Sequence, residues 1–526
     1  MTTADANDRG AWVDPSRTII PLSLRLLDHF KSMSTGEIVM RHTPAPTQCI
    51  LIGALWLCGL AIDIGAAKAG VSSSSCPANA IAIAPGAPIQ ETVDRGGDNA
   101  SLCLKNGVHR AQAIRPRSGQ HFYGEGKSVL NGSQLLTGFR REGEYWATRF
   151  RFPARPAHGE CLPTAPFCRH PEAVFVDDRP LARVSGKAEL ASGKFFIDRA
   201  DGLLYLAEDP TNRTVEAAVA LFAFESTAAD VSISNIIVEK FATAAQKGAI
   251  HAREGVRWTI ENCEVRLNGG AGISVGSGSH VRNCDIHANG QIGIEGNGRD
   301  IRIEYNHIWS NNIHGFDGTW EAGGVKIALS EGVAFRGNHV HDNNGPGLWC
   351  DIDCRDVLYE KNLVERNRDI GIFHEISFKA VIRDNVVRHN GLGDRGWFWV
   401  SDIVLSASQE VEVLSNRLTV ARGRCGIILI DQGRRDNGNR YKTRNNTVLA
   451  NEMTFEGAAC AGGVSDTKPG DENFSIITDG NNLFDGNRYR VGQPDLPARF
   501  VWGHDTTDWN GFRRRGQERS GQLVPF

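Results

Sequence analysis

From about residue 231 to residue 450 the chain repeats itself, and this repeat limits the possible folds more than any other feature. A polar-(Asn or Cys)-x-(Val, Ile or Leu) element recurs at Asn235, Cys263, Cys284, Asn306, Asn338, Asn362, Asn385, Asn416 and Asn446. A second element, Gly followed by Ile, Val or Leu, recurs at Gly272, Gly293, Gly324, Gly347, Gly371 and Gly426, and Asp402-Ile403 takes its place once. The commonest unit is 21–24 residues, with short alternating strands. Such a unit cannot bury an apolar face alone, but copies stacked through parallel strands ~4.8 Å apart can. Equivalent asparagines then hydrogen-bond from rung to rung. Cys263 and Cys284 fall on adjacent rungs, as stacked thiols or as a disulfide.

A leucine-rich repeat needs a fixed leucine frame that is missing, and a propeller blade runs to ~40–50 residues. The pattern therefore predicts an all-β chain, a right-handed parallel β-helix. Residues 347–391, GLWCDIDCRDVLYEKN onward, resemble bacterial right-handed β-helix repeat proteins of the pectin-lyase-like superfamily. Residues 103–133 resemble their opening coils, 175–210 an insertion found in some members, and 500–512 their closing segment. The expected organisation is first coils over 76–137, a β-rich insertion over 138–226, repeats over 227–450, and a final coil with a C-terminal cap over 451–526. The resemblance implies the fold well and the chemistry poorly, because lyases, hydrolases, epimerases and binders share the superfamily.

The apolar run Ile50–Ile62 is shorter than the ~20 residues of a membrane-spanning helix. Arg41 and His42 precede it and Ala67-Lys68-Ala69 follows, the pattern of a secretory signal over 40–69 cleaved after Ala69. Residues 1–39 then read as an upstream extension of a mis-called start. Cleavage leaves ten of the 12 cysteines, an even number that fits an exported, periplasmic or extracellular monomer without a stable membrane span. Cys161 and Cys168 are the first choice for a disulfide; the pairing of Cys350 with Cys354 is left open. Neither Cys-x-x-Cys pairs nor histidine clusters point to zinc. A formal charge of −3, with no long basic run, argues against a nucleic-acid partner.

Alternation within strands selects the residues that leave the core. Leu348, Cys350 and Ile352 are expected inside, with Trp349, Asp351 and Asp353 outside. One coil later Ile372 and His374 point in, as scaffold, and Phe373 and Glu375 point out. One coil earlier Lys326 points out. Stacking puts Lys326, Trp349 and Phe373 in one external column, with Asp351 beside Glu375 in the next. The loops IHGFDGTWEAGG and GLGDRGWFWVSD wall a cleft ~14 Å wide over this floor, three coils at the strand spacing, with Trp320, Trp397 and Trp399 on its rims.

Aromatic faces above carboxylates suit a polysaccharide or oligosaccharide. Asp351 and Glu375 are the expected acid–base pair, Asp353 positions water or a cation, and Lys326 binds substrate or pairs with Asp351. Carboxyls ~5–5.5 Å apart fit retaining glycoside hydrolysis. Hydrolysis is preferred because no catalytic arginine is evident. The alternative is a Ca²⁺-dependent uronate lyase, with Asp351, Asp353 and Glu375 as the oxygen cage and Lys326 as base. The remaining reading is a non-catalytic carbohydrate-binding or envelope protein. Motifs of polygalacturonases and epimerases are absent as sets.

Overall fold

The computed structural model describes residues 70, 76–393, 395–436, 439–492 and 499–526. The proposed extension at 1–39 and signal segment at 40–69 lie outside the described residues.

Each regular coil lays down three short strands. Ala271–Val275, His280–Arg282 and Asp285–His287 make one coil, and Ile292–Gly296, Arg302–Glu304 and His307–Trp309 make the next. Every strand pairs in parallel with its equivalent one coil on, giving three stacks around one core. Alternate residues turn inward and line up by type. Ile273, Ile294, Val325, Leu348, Ile372 and Ile403 fill one column of the first stack. Ile260, Val281, Ile303, Phe335, Tyr359 and Ile382 fill the second stack. β-Branched and aromatic side chains suit these positions because each strand is covered on its inner face by the other two. The protein is thus a right-handed parallel β-helix.

The asparagine ladder sits at the bend between the second and third stacks. The backbone turns there by one left-handed residue just before the rung: Asn283 at φ 52°, Tyr305 at φ 55° and Lys361 at φ 55°. Each rung's amide then donates to the next coil, as in Asn362 Nδ2 to Asn385 Oδ1 at 2.9 Å, and to a strand carbonyl below, Phe335 O at 2.9 Å. Cys263 and Cys284 are free buried thiols that donate to the equivalent carbonyls, Ile233 O and Ile260 O. After Asn416 the ladder runs to Asn451 and Asn487 and closes on the Glu518 carboxylate. Asn446 is therefore not a rung. It stands at an earlier corner and bonds Asn482, because the chain makes a further strand before reaching the bend. Asn235 marks a register shift inside the strand Ser232–Glu239. A second ladder at the exit of the third stack runs Asn268, Asn289, Asn311, Asn343, Asn367, Asn390 and ends on Asp402.

Both ends are closed. Helix Ile89–Gly96 buries Ile89 and Val93 over the first coils. At the other end helix Trp509–Arg514 sets Phe512 against Phe500, ring centroids 4.8 Å apart. Between the coil strands His121–Asn131 and Ser232–Glu239 the chain makes two small sheets with their own core, including Phe152, Val174, Phe195 and Leu204. Among the described residues there are four disulfides, Cys76–Cys103, Cys161–Cys168, Cys350–Cys354 and Cys425–Cys460. No helix among them is long and apolar enough to cross a membrane.

Candidate functional site

The outer face of the first stack is built from the strands Gly323–Ala328, Leu348–Asp351, Ile372–Glu375 and Ser401–Ser406. Their register stacks Lys326 on Trp349, Trp349 on Phe373 and Phe373 on Val404. Cys350 pairs with His374, so Asp351 and Glu375 follow as neighbours in the next outward column. Lys326 fits between these columns. Its Nζ is 3.0 Å from Asp351 Oδ2, 3.6 Å from Glu321 Oε2 and 3.8 Å from the centre of the Trp349 ring, and it donates to Trp320 O at 3.2 Å.

Glu375 lies in a different field. Burial, then repulsion from Asp351, push its carboxyl up to about 7, against the pull of Arg434 and Lys326. Arg434 Nη1 is 3.0 Å from Glu375 Oε1. For Lys326, burial works against the charge, but Asp351, Glu321 and Glu375 outweigh it and hold the ammonium above its ordinary range. One coil before Lys326, Glu295 occupies the same outward column and is also raised to about 7 by burial. It accepts from the Ser274 hydroxyl and lies 3.3 Å from Arg253 Nη1.

Three expectations need correcting. Asp353 is not an outward strand position: the strand ends at Asp351, and Ile352 and Asp353 are left-handed at φ 47° and 56°. The Cys350–Cys354 bridge spans this turn, Asp353 accepts from Tyr441 Oη at 3.2 Å, and Ile352 packs beside Ile376 and Tyr441 outside the main core. The aromatic floor is not open either. Trp349 is 3 % and Phe373 1 % exposed, in one cluster with Val404, Ile428 and Val501. The 3₁₀ turn Trp397–Trp399 packs onto that cluster, with Trp399 edge-on to Phe373 at 6.1 Å, so these tryptophans cover the column instead of facing Trp320 across a gap. Trp320 itself stacks on Phe316 at 6.2 Å and meets His158 of the insertion edge-on at 5.4 Å. Finally, an arginine does reach the carboxyls. Arg434 is 59 residues beyond Glu375, and no local motif announces it.

His374 is a core residue as expected. It is fully buried, with Tyr359 Oη 3.4 Å from Nδ1, and burial lowers its pKa to about 4. Sequence reasoning also missed Glu295 and Glu321. Glu295 carries the same signal as Lys326, an outward position after an inward β-branched residue, Ile294 and Val325 respectively. Glu321 sits in a loop, where alternation says nothing.

Residues 247–448 match the family model described as right handed beta helix region. No curated protein matches the sequence. Among solved structures, the complex of XylC with xylose is similar at TM-score 0.58 and 16 % identity, over 76 % of this chain and 80 % of that one. The A-module of the mannuronan C-5 epimerase AlgE6 of Azotobacter vinelandii aligns at TM-score 0.48 and 13 % identity, over 88 % and 98 %. The periplasmic alginate epimerase AlgG aligns at TM-score 0.33 and 10 % identity, over 85 % and 83 %. The fold defines the class, a coiled parallel sheet that carries its polar residues on outer faces. More particularly, the chain folds as a right-handed parallel β-helix, and residues 247–448 carry the match to the right handed beta helix region.

Proposed function

We propose that this is an exported polysaccharide-active enzyme whose acid–base pair is Glu375 and Asp351. The observation that carries the reading is their inequality. Two carboxyls stand on adjacent strands, one raised to about 7 and the other ion-paired at 3.0 Å to Lys326. That division of environments is how a site assigns one acid and one base at neutral pH. Glu375 would protonate the glycosidic oxygen, and Asp351 would attack or stabilise the developing positive charge at the sugar carbon. Adjacent strands lie ~4.8 Å apart, so retention is favoured over inversion. Lys326 is engaged on all sides and acts as a positioning residue for Asp351, not as a free hook for substrate. Substrate would approach from the Arg434 side, since the Trp349–Phe373 column is covered. The structural neighbour described as a xylose complex supports a sugar ligand. Four disulfides support export.

Arg434 favours a second reading, elimination on an acidic sugar whose carboxylate the guanidinium would neutralise. A Ca²⁺ cage does not fit these residues. Asp351 and Glu375 are already held by Lys326 and Arg434, and Asp353 turns away to Tyr441. The wild-type protein should therefore act on a neutral or acidic polysaccharide with or without chelator. Hydrolysis gives new reducing ends without ultraviolet absorbance, whereas elimination gives an absorbing unsaturated product. Binding to glycans without either product would establish a non-catalytic binder.

A further inference from the structure

The outer face of the third stack carries a group that the proposed reaction does not use. In Asp285–His287, His307–Trp309, His339–His341 and Leu363–Glu365 the middle residues Ile286, Ile308, Val340 and Val364 are buried in the core. The flanking residues must then leave the sheet on the outer side. Register places His307 directly beside His339, and Trp309 beside His341. His307, His339 and His341 consequently form a triangle. Ring centroids are 5.2, 4.9 and 4.2 Å apart, and one ring nitrogen from each lies within 4.8 Å of the others. The sequence hides this group, because His307 and His339 are 32 residues apart across a long coil.

Carboxylates around the triangle assign the ring hydrogens. Asp285 Oδ1 is 3.3 Å from His307 Nδ1, and Asp342 Oδ2 is 2.6 Å from His341 Nδ1. An ionised carboxylate only accepts, so both Nδ1 atoms carry the hydrogen and both Nε2 atoms carry a lone pair. Those Nε2 atoms are 2.7 Å apart. In the neutral rings these two lone pairs face each other, and a shared proton or a metal ion bound by both relieves their repulsion. Glu365 Oε1 is 3.1 Å from His339 Nε2, which leaves Nδ1 as the donor atom of the third ring. Arg388 Nε is 2.5 Å and Arg366 Nη1 2.7 Å from Glu365, and Arg366 Nη2 is 2.9 Å from Asp342, so each of these carboxylates has a cationic partner.

We propose that His307, His339 and His341 bind a late first-row divalent cation, Zn²⁺ foremost, through one imidazole nitrogen each. Three nitrogen donors without sulfur, in a half-buried site, suit such ions and not the oxygen-seeking Ca²⁺ or Mg²⁺. The imidazoles backed by Asp285, Asp342 and Glu365 reproduce the outer shell that orients metal-bound histidines. Zn–N bonds of ~2.0–2.1 Å separate two tetrahedral ligands by about 3.3 Å, so binding opens the Nε2 pair by roughly half an ångström. Three protein ligands leave a fourth position for water or another small donor.

The test is titration of the untagged, metal-stripped full chain with Co²⁺, followed by absorbance, and with Zn²⁺, followed by calorimetry. One equivalent of Co²⁺ should give visible bands that Zn²⁺ displaces. His307→Ala with His341→Ala should abolish them, with the circular dichroism and melting profile of the metal-free protein retained. Asp285→Asn keeps all three rings and should weaken Zn²⁺ about tenfold or more, which preserves the test if the double variant fails to fold. Absence of stoichiometric binding, or an affinity unchanged in Asp285→Asn or in a folded double variant, would overturn the proposal.

Discussion

Lys326 and Asp351 lie on neighbouring strands, with Nζ 3.0 Å from Oδ2, and both side chains are less than a tenth exposed. The ammonium also rests 3.8 Å from the centre of the Trp349 ring. Removing one member of such a buried pair strands the other charge. Lys326→Ala is expected to lower stability by about 3–5 kcal/mol, read from the urea midpoint. Lys326→Arg should retain more of it. An alanine variant as stable as the wild type would show that Asp351 does not depend on this partner.

The environment of Glu375 predicts a pH profile. A general acid raised to about 7 delivers its proton below that pH and loses it above. Turnover should therefore fall on the alkaline side with an apparent pKa near 7. Arg434 pulls the pKa down, so Arg434→Gln should move the alkaline limb to higher pH. A limb that stays put in this variant would remove Glu375 from the role of acid.

Trp349 tests whether the aromatic column is a platform or a core. At 3 % exposure it is packed between Lys326 and Phe373. Trp349→Ala should cost about 3–5 kcal/mol of stability, well beyond a loss of sugar affinity. Thermal and urea unfolding distinguish these outcomes: weakened binding at full stability would return Trp349 to the surface.

Asp402 ends the second ladder by accepting Asn390 Nδ2 at 2.9 Å, and burial raises it to about 7 from an ordinary 3.8. The folded state then holds a proton that the unfolded chain releases. This contribution is complete below about pH 4 and is lost as pH rises to about 7, at up to about 1.4 kcal/mol per pH unit. Asp402→Asn should match the wild type near pH 4 and be the more stable protein at pH 8. Equal melting temperatures at pH 8 would contradict the assignment.

The ladder and inward columns were legible because identical solutions recur in each coil, and period-two alternation survives wherever strands are regular. That is why the Lys326–Trp349–Phe373 column was readable from the sequence, as was Asp351 beside Glu375. Legibility failed where the backbone leaves the strand. Asp353 lies just past a strand end in left-handed backbone, so its parity carries no meaning. The turn Trp397–Trp399 folds down because apolar rings bury area on Phe373, and only three-dimensional packing shows this. Arg434 lies two coils beyond Glu375, and His307 reaches His339 across one long coil, where sequence spacing gives no distance.

The central claim is that Glu375 and Asp351 perform chemistry on a polysaccharide. Its most direct test compares product formation by the wild type and by Glu375→Gln with Asp351→Asn on a polymer that the wild type cleaves. Sugar affinity is measured alongside, under matched folding. Acid–base groups contribute ~10²–10⁴-fold to rate, so the double variant should lose at least about a hundredfold in turnover and still bind the polymer. Undiminished turnover in the folded double variant would contradict the account.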